Sequence, residues 1–224
     1  MHGIRSPCLS SYVAAAPQSR PVLPCADVAL SFEMASQAVG ALRIRCMTFP
    51  TFSQDSSGAD SAVLDCEIAI VGAGPAGLMA AERLSAQGHS VCVFDAKASV
   101  GRKFLMAGKG GMNLTHSEPF PAFVQRYGTS AERLALMLQA FGPQHVCEWV
   151  QGLGLETFVG SSGRVFPTDM KAAPLLRAWM TRLRQQGVRF FMRHRWTGWS
   201  ANGDLQMQAE SGTVAVRARA VLLA

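Results

Sequence analysis

The sequence predicts an α/β fold with a parallel sheet over residues 65–224, and three observations predict it. Apolar runs of strand length alternate with amphipathic runs of helix length, the order expected of βαβ units. The first strand-to-helix junction is a six-residue glycine motif, Gly72-Ala73-Gly74-Pro75-Ala76-Gly77. The second strand ends in an acid, Asp95. Together they define a Rossmann-like dinucleotide-binding domain.

The run CEIAIVGAG from Cys66 reads as a buried strand. PAGLMAAERLSAQG follows as a helix, with Pro75 in the first turn, where its missing N–H costs nothing, and Gly88 at the end. SVCVFD is the second strand. Gly101 to His116 is then a glycine-rich loop, with four glycines, three fixed cations and no acid. TSAERLALMLQAFG is helical, and Thr129 with Glu132 has the spacing of a capping box. PQHVCEWVQGLG continues as a short helix, and LETFVGSSGRVFP forms two extended segments around a Gly-Ser turn. MKAAPLLRAWMTRLRQQG is a helix with Pro174 in its first turn, and VRFFMRH is a strand. The remaining residues form a β-meander with turns at Asn202-Gly203 and Ser211-Gly212.

Residues 1–64 differ in kind. They are rich in Ser, Ala and Pro, carry one weak helical stretch over 29–43, and end in a turn-rich linker, so a weakly structured extension is expected there. The whole chain has 224 residues, and its hydrophobic share of 49% suffices for a substantial core. The net charge of +6 lies in the second part, where seventeen Lys/Arg face ten Asp/Glu from Cys66 onward. Such an excess suits nucleic acid, acidic lipid or a phosphorylated ligand alike. Six scattered cysteines without a CxxC pair argue against a metal site, a dithiol redox centre and a disulfide framework. Cys66 and Cys92, in apolar runs, read as buried, inert thiols. No stretch reaches about 18 apolar residues and no secretory h-region opens the chain, so a cytoplasmic protein is expected.

The glycine motif has a mechanical reading. Gly72 permits the tight turn, Gly74 removes the Cβ that would hold a diphosphate away, and Gly77 lets helix and strand pack closely. The helix start at Pro75 and Ala76 offers free N–H groups and partial positive charge to that diphosphate. Asp95, 18 residues after Gly77, is placed to accept hydrogen bonds from an adenosine ribose and to repel a 2′-phosphate, with Ala96 beside it. Arg102 and Lys103 would neutralise phosphate or cap a flat ligand, and Gly108, Gly110 and Gly111 would let backbone approach it. Solvated cations and a flexible loop are the alternative. These residues leave NAD and FAD both open.

VGAGPAGLMAAERL, VGRKFLMAGKGGMNLTHSEP and SSGRVFPTDMKAAPLLRAWM resemble the BaiN/YhiN-type bacterial flavoproteins over residues 66–224. The resemblance implies a glutathione-reductase-like FAD domain, FAD as cofactor and NAD(P)H as reductant. It implies that Asn113, with Gly110 and Gly111, lies at the flavin. Many relatives have Gly-Arg-Cys-Asn where this chain has Gly111-Met112-Asn113, so no thiol chemistry is expected there. Some relatives are linked to the reduction of enone bonds in bile acids. The resemblance covers about the first half of such proteins, so a truncated domain is expected, in which missing flavin cover would leave FAD weakly held. Arg164, in a motif shared with these proteins, stands either near flavin or substrate or in an interdomain ion pair. His116 adjoins the glycine-rich loop, and a structural histidine is the commoner case.

The function expected is therefore an FAD-dependent oxidoreductase acting on a small-molecule substrate, with no catalytic acid or base named. No metal, nucleic-acid or membrane partner is expected, and Arg189, Arg193, His194 and Arg195 read as a solvated strand face. A catalytically silent nucleotide-binding fragment and an NAD-only dehydrogenase are the alternatives.

Overall fold

The computed structural model describes residues 63–107 and 110–224. The expected extension, including the helical stretch over 29–43, lies outside those residues save for Val63 and Leu64. These two open the first strand, β1 (Val63–Val71), which therefore begins three residues before Cys66. The cause is tertiary: Val63 to Cys66 pair in parallel with Ala215 to Ala218 near the other end of the sequence.

β1 lies inside a six-stranded sheet of order β6-β2-β1-β9-β8-β7. Its neighbours are β2 (Val91–Asp95) and β9 (Gly212–Leu223), both parallel to it. β6 (Arg189–Met192) extends the parallel part beside β2. β7 (Arg195–Trp199) and β8 (Leu205–Ala209) form the predicted meander with the first residues of β9, through left-handed glycines at Gly203 and Gly212. Val91 to Phe94 are all buried, which explains an apolar run without alternation. Ala69, Cys92 and Phe94 pack with Leu205, Met207 and Val216, so the meander covers one face of the parallel strands.

Helix α1 (Pro75–Ala86) buries Leu78, Ala81 and Leu84. Helix α6 (Ala172–Gln185) buries Leu175, Leu176, Trp179, Met180 and Leu183, the stripe that its period demands, with Pro174 in the first turn as predicted. Between them the chain forms α2 (Arg102–Ala107), α3 (Phe120–Gln125), α4 (Ala131–Ala140) and α5 (Pro143–Gly152). A small antiparallel sheet of order β3-β5-β4 joins β3 (Thr115–His116), β4 (Thr157–Val159) and β5 (Arg164–Pro167).

Two sequence expectations need correction, and one element is new. The glycine-rich segment is not a loop throughout, because Arg102 to Ala107 form α2, whose Phe104 is buried edge-on to Trp179. The capping box does not form: Gly128–Ser130 is a 3₁₀ turn, and α4 starts at Ala131 without a side-chain cap. Thr129 is then one residue too early to reach the helix start. Helix α3, with Pro121 in its first turn, lies in a stretch to which the sequence reading assigned no element.

A buried carboxylate joins three helices. Glu82 of α1 accepts hydrogen bonds from Trp179 Nε1 at 2.6 Å, Trp149 Nε1 at 3.0 Å and Arg182 Nη1 at 2.8 Å. α1, α5 and α6 are thereby fixed to one another through a single side chain.

Candidate functional site

The site begins where β1 ends. Gly72 donates its N–H to Phe94 O at 2.8 Å, and Ala224 donates to Val71 O at 2.8 Å, so the turn is held from both sides by parallel neighbours. Gly72 has φ 115°, and a Cβ there would lie 2.2 Å from Ala224 O. A Cβ on Gly77 would lie 1.9 Å from Gly72 O and 3.3 Å from the Ile70 side chain. A Cβ on Gly74 would meet nothing within 4 Å. The three glycines thus do different things, two serving the fold and one leaving open space.

Gly74 is extended and flanks the start of α1. The first N–H bonded within the helix is that of Leu78, to Gly74 O at 2.9 Å. The N–H groups of Ala76 and Gly77 have no intrahelical acceptor, and no acid stands in the first turn to claim their field.

Asp95 is bonded to this turn directly. Its Oδ2 accepts from Ala73 N–H at 2.8 Å and its Oδ1 from Lys97 N–H at 2.7 Å. The sequence reading missed the first contact, since nothing local signals a clasp between residues 22 apart. Each carboxylate oxygen keeps acceptor capacity for a further donor. Ala96 beside it is exposed.

Gly101 brings the next segment to the turn by donating to Ala73 O at 2.9 Å. It is left-handed, φ 66°, and sits against Leu176 of α6 so closely that a Cβ would lie 2.9 Å away. Arg102 and Lys103, the first residues of α2, are exposed and make no ion pair among the described residues.

Gly108 lies outside the described residues. Gly110 has open space around it, whereas Gly111 has φ 111° and lies under the Met170 side chain. Met112 N–H donates to Met170 O at 2.9 Å. Asn113, with its amide oriented to suit its neighbours, donates to Thr115 O at 2.9 Å and Val165 O at 3.3 Å. Segment 110–113 is therefore bound to the small sheet, while residues 72–77, 95 and 101 are bonded to one another. The structure does not link the two groups by a direct hydrogen bond.

Met170 was missed, and it is strained. Its φ is 58°, a left-handed conformation that costs a non-glycine residue about 1–2 kcal/mol. Met170→Gly should relieve this and raise stability by about 1 kcal/mol, a Tm gain of roughly 2–4 °C. A lowered Tm would instead mean that the Met170 contact with Gly111 outweighs the strain.

The remaining candidates resolve differently. His116 Nδ1 accepts from Glu118 N–H at 3.1 Å and its Nε2 meets Ser162 O at 3.0 Å, so both ring nitrogens serve the backbone. Arg164 is exposed on β5 opposite His116 and is in no ion pair among the described residues. A cleft of about 270 Å³ lined by Phe120, Leu138, Pro143 and His145 contains none of the expected cofactor residues. Among the described residues no group of three or more metal-ligating side chains occurs, and no helix is long and apolar enough to cross a membrane.

Residues 66–224 match the family model described as the HI0933-like protein Rossmann domain. A curated relative, the ribosomal RNA dihydrouridine synthase of Haemophilus influenzae, is 51% identical over 53 residues, which make up 24% of this chain and 13% of that protein. Among solved structures, the 3-ketosteroid-Δ4-(5α)-dehydrogenase of Rhodococcus jostii aligns with a TM-score of 0.52 at 16% identity, over 71% of this chain and 45% of that one. An open conformation of a flavocytochrome c3 fumarate reductase gives 0.56 at 16% identity, over 80% of this chain and 40% of that one. At these identities the likeness is one of fold, and the chain spans less than half the length of each of these proteins.

Proposed function

This chain belongs to the HI0933-like family through its Rossmann domain, and from that membership and the geometry of the glycine turn we propose that it is the FAD-binding part of an oxidoreductase. NAD(P)H is the reductant and an organic molecule the acceptor. The carrying observation is the open position at Gly74, set at the start of α1 and beside a turn that Asp95 clasps.

The residues fit the cofactor. Gly74 admits the diphosphate to the backbone, and the N–H groups of Ala76 and Gly77 donate to it. Pro75 presets the first helical residue. Asp95 accepts from the ribose hydroxyls with the capacity its two backbone donors leave free, and Ala96 borders the adenosine. Arg102 and Lys103 offset the diphosphate charge without competing carboxylates. Gly110, Gly111 and Asn113 border the ring; here the amide nitrogen of Asn113 is turned to the small sheet, which leaves its carbonyl oxygen as the free group. The bound flavin supplies the hydride chemistry, and the chain supplies position and field.

The test is purification with added FAD, removal of free flavin, then quantification of bound flavin and of NAD(P)H oxidation. Weak FAD binding that ADP displaces, with little flavin retained after that removal and little NAD(P)H oxidation, is the expected result. Tight binding of NAD that FAD does not displace would establish the dehydrogenase alternative instead.

The 53-residue match to the dihydrouridine synthase raises uridine in ribosomal RNA as a second acceptor beside a free small molecule, contrary to the expectation of no nucleic-acid partner. The C5=C6 bond of uracil is conjugated to the C4 carbonyl, so it accepts hydride at C6 and a proton at C5, as an enone does. Reduction of a uridine-containing RNA but not of a simple enone supports this acceptor, and the reverse preference removes it.

A further inference from the structure

We propose that the outward faces of α2 and α6 form a binding surface for the phosphates of a single-stranded RNA; the choice of RNA among polyanions rests on the acceptor raised above. The two helices lie side by side. Gly101, which precedes α2, sits against Leu176, and Phe104 meets Trp179 edge-on with 6.2 Å between ring centroids. Both helices fall in stretches without an acid, since none occurs between Asp95 and Glu118 or between Asp169 and Asp204. Arg102 and Lys103 open α2, and both are exposed. On α6 the buried stripe turns Leu176, Trp179, Met180 and Leu183 inward. Arg177 and Arg184 therefore stand on the exposed face, two turns apart on one row. Thr181 between them donates to Arg177 O at 3.0 Å and adds no negative group. The other arginine of α6, Arg182, is held by Glu82.

Several exposed cations elsewhere are balanced locally: Arg126 pairs with Glu118, Arg193 with Glu210 and Arg217 with Asp204. Arg177 and Arg184 make no ion pair among the described residues, so their guanidinium forks stay free. Such a fork donates two parallel N–H bonds to one phosphate, and no carboxylate on either helix competes for it. Gly101 joins α2 to the glycine turn by donating to Ala73 O at 2.9 Å, so the surface starts beside the cofactor turn. From there Arg177 and Arg184 carry the positive field for about 10 Å along α6, a row that matches successive phosphates of one strand. The exposed face of α6 carries Arg177, Thr181, Arg184 and Gln185 and no large apolar side chain. It therefore suits a strand of phosphates better than an acidic membrane, into which such a helix has nothing to insert.

Titration of a labelled oligouridylate with the full chain at several salt concentrations tests this. Binding should weaken steeply with salt, and Arg177→Gln/Arg184→Gln should flatten the slope of log K against log salt by about 1.4, at about 0.7 per phosphate of a single strand. Affinity at moderate salt should fall about tenfold in the same variant. Its ADP affinity and melting curve should not move, because both side chains are exposed and lie outside the glycine turn. Arg133→Gln/Arg195→Gln removes equal charge from exposed positions on α4 and β7 and should keep the original slope. An equal flattening in that control, no binding of the oligouridylate, or stronger binding to phosphatidylglycerol vesicles than to RNA would overturn the proposal. The expected slopes without reduction of any uridine would instead remove the RNA acceptor and keep the surface.

Discussion

Replacing Gly77 with alanine is expected to unfold the domain, whereas Gly74→Val leaves it folded and removes dinucleotide binding. The two glycines stand three residues apart in one motif, but their surroundings are opposite. A Cβ on Gly77 would sit 1.9 Å from Gly72 O, a backbone atom that cannot rotate away, with the Ile70 side chain at 3.3 Å behind it. Helix α1 would have to lift from β1, and overpacking of this kind costs about 3 kcal/mol or more. At Gly74 the backbone is extended, φ −82° and ψ 179°, which valine adopts without strain, and nothing lies within 4 Å of its Cβ. The added side chain would fill the space proposed for the diphosphate. A loss of about 100-fold or more in ADP or FAD affinity is expected, equivalent to roughly 3 kcal/mol of contact and helix-terminus interaction. Asp95→Ala should be intermediate, losing about tenfold to 100-fold in affinity for one charged acceptor and some stability because Ala73 N–H is left without its partner. Circular dichroism melting and calorimetric titration with ADP read the two quantities separately. Near-equal and small effects of Gly74→Val and Asp95→Ala on affinity would remove the turn from the binding site.

Glu82→Ala should be as damaging as any substitution away from that turn. Glu82 is 7% exposed, and its carboxylate is the acceptor for two indole N–H groups and for Arg182. Truncation leaves three donors from α5 and α6 without their shared acceptor, one of them a cation partly withdrawn from water. Removing one partner of such a buried pair costs about 3–5 kcal/mol. For a domain of this size that corresponds to a fall in Tm of roughly 10 °C. Glu82→Gln keeps an acceptor oxygen and should recover part of the loss. Tryptophan emission offers a second reading, because Trp149 and Trp179 meet edge to face at 4.7 Å between ring centroids and both donate to Glu82. An unchanged melting curve in Glu82→Ala would show that the three donors find other partners.

The elements with strong local signatures were legible in the sequence. The apolar runs of β1 and β2, the Pro-led helices α1 and α6, and the turns at Asn202-Gly203 and Ser211-Gly212 all appear where periodicity and turn chemistry place them. The family and its Rossmann domain were legible as well, because three separated motifs carry them. Thr129 and Glu132 show the limit of such signals, since correct spacing formed no cap once a 3₁₀ turn displaced the helix start by one residue. Helix α2 escaped notice because its flanking glycines dominate the composition, although Phe104 is anchored against Trp179.

What the sequence by itself determined was the first strand, glycine turn, helix and second strand, with the acid at the end of β2, all set by spacing along one short segment. Only the tertiary structure decided that Asp95 clasps Ala73 across 22 residues and that Glu82 joins α1 to α5 and α6. The physical reason is common to both. A buried polar group must find a partner wherever packing brings one within about 3 Å, and that partner is chosen by the sheet register and helix packing rather than by its neighbours in the chain.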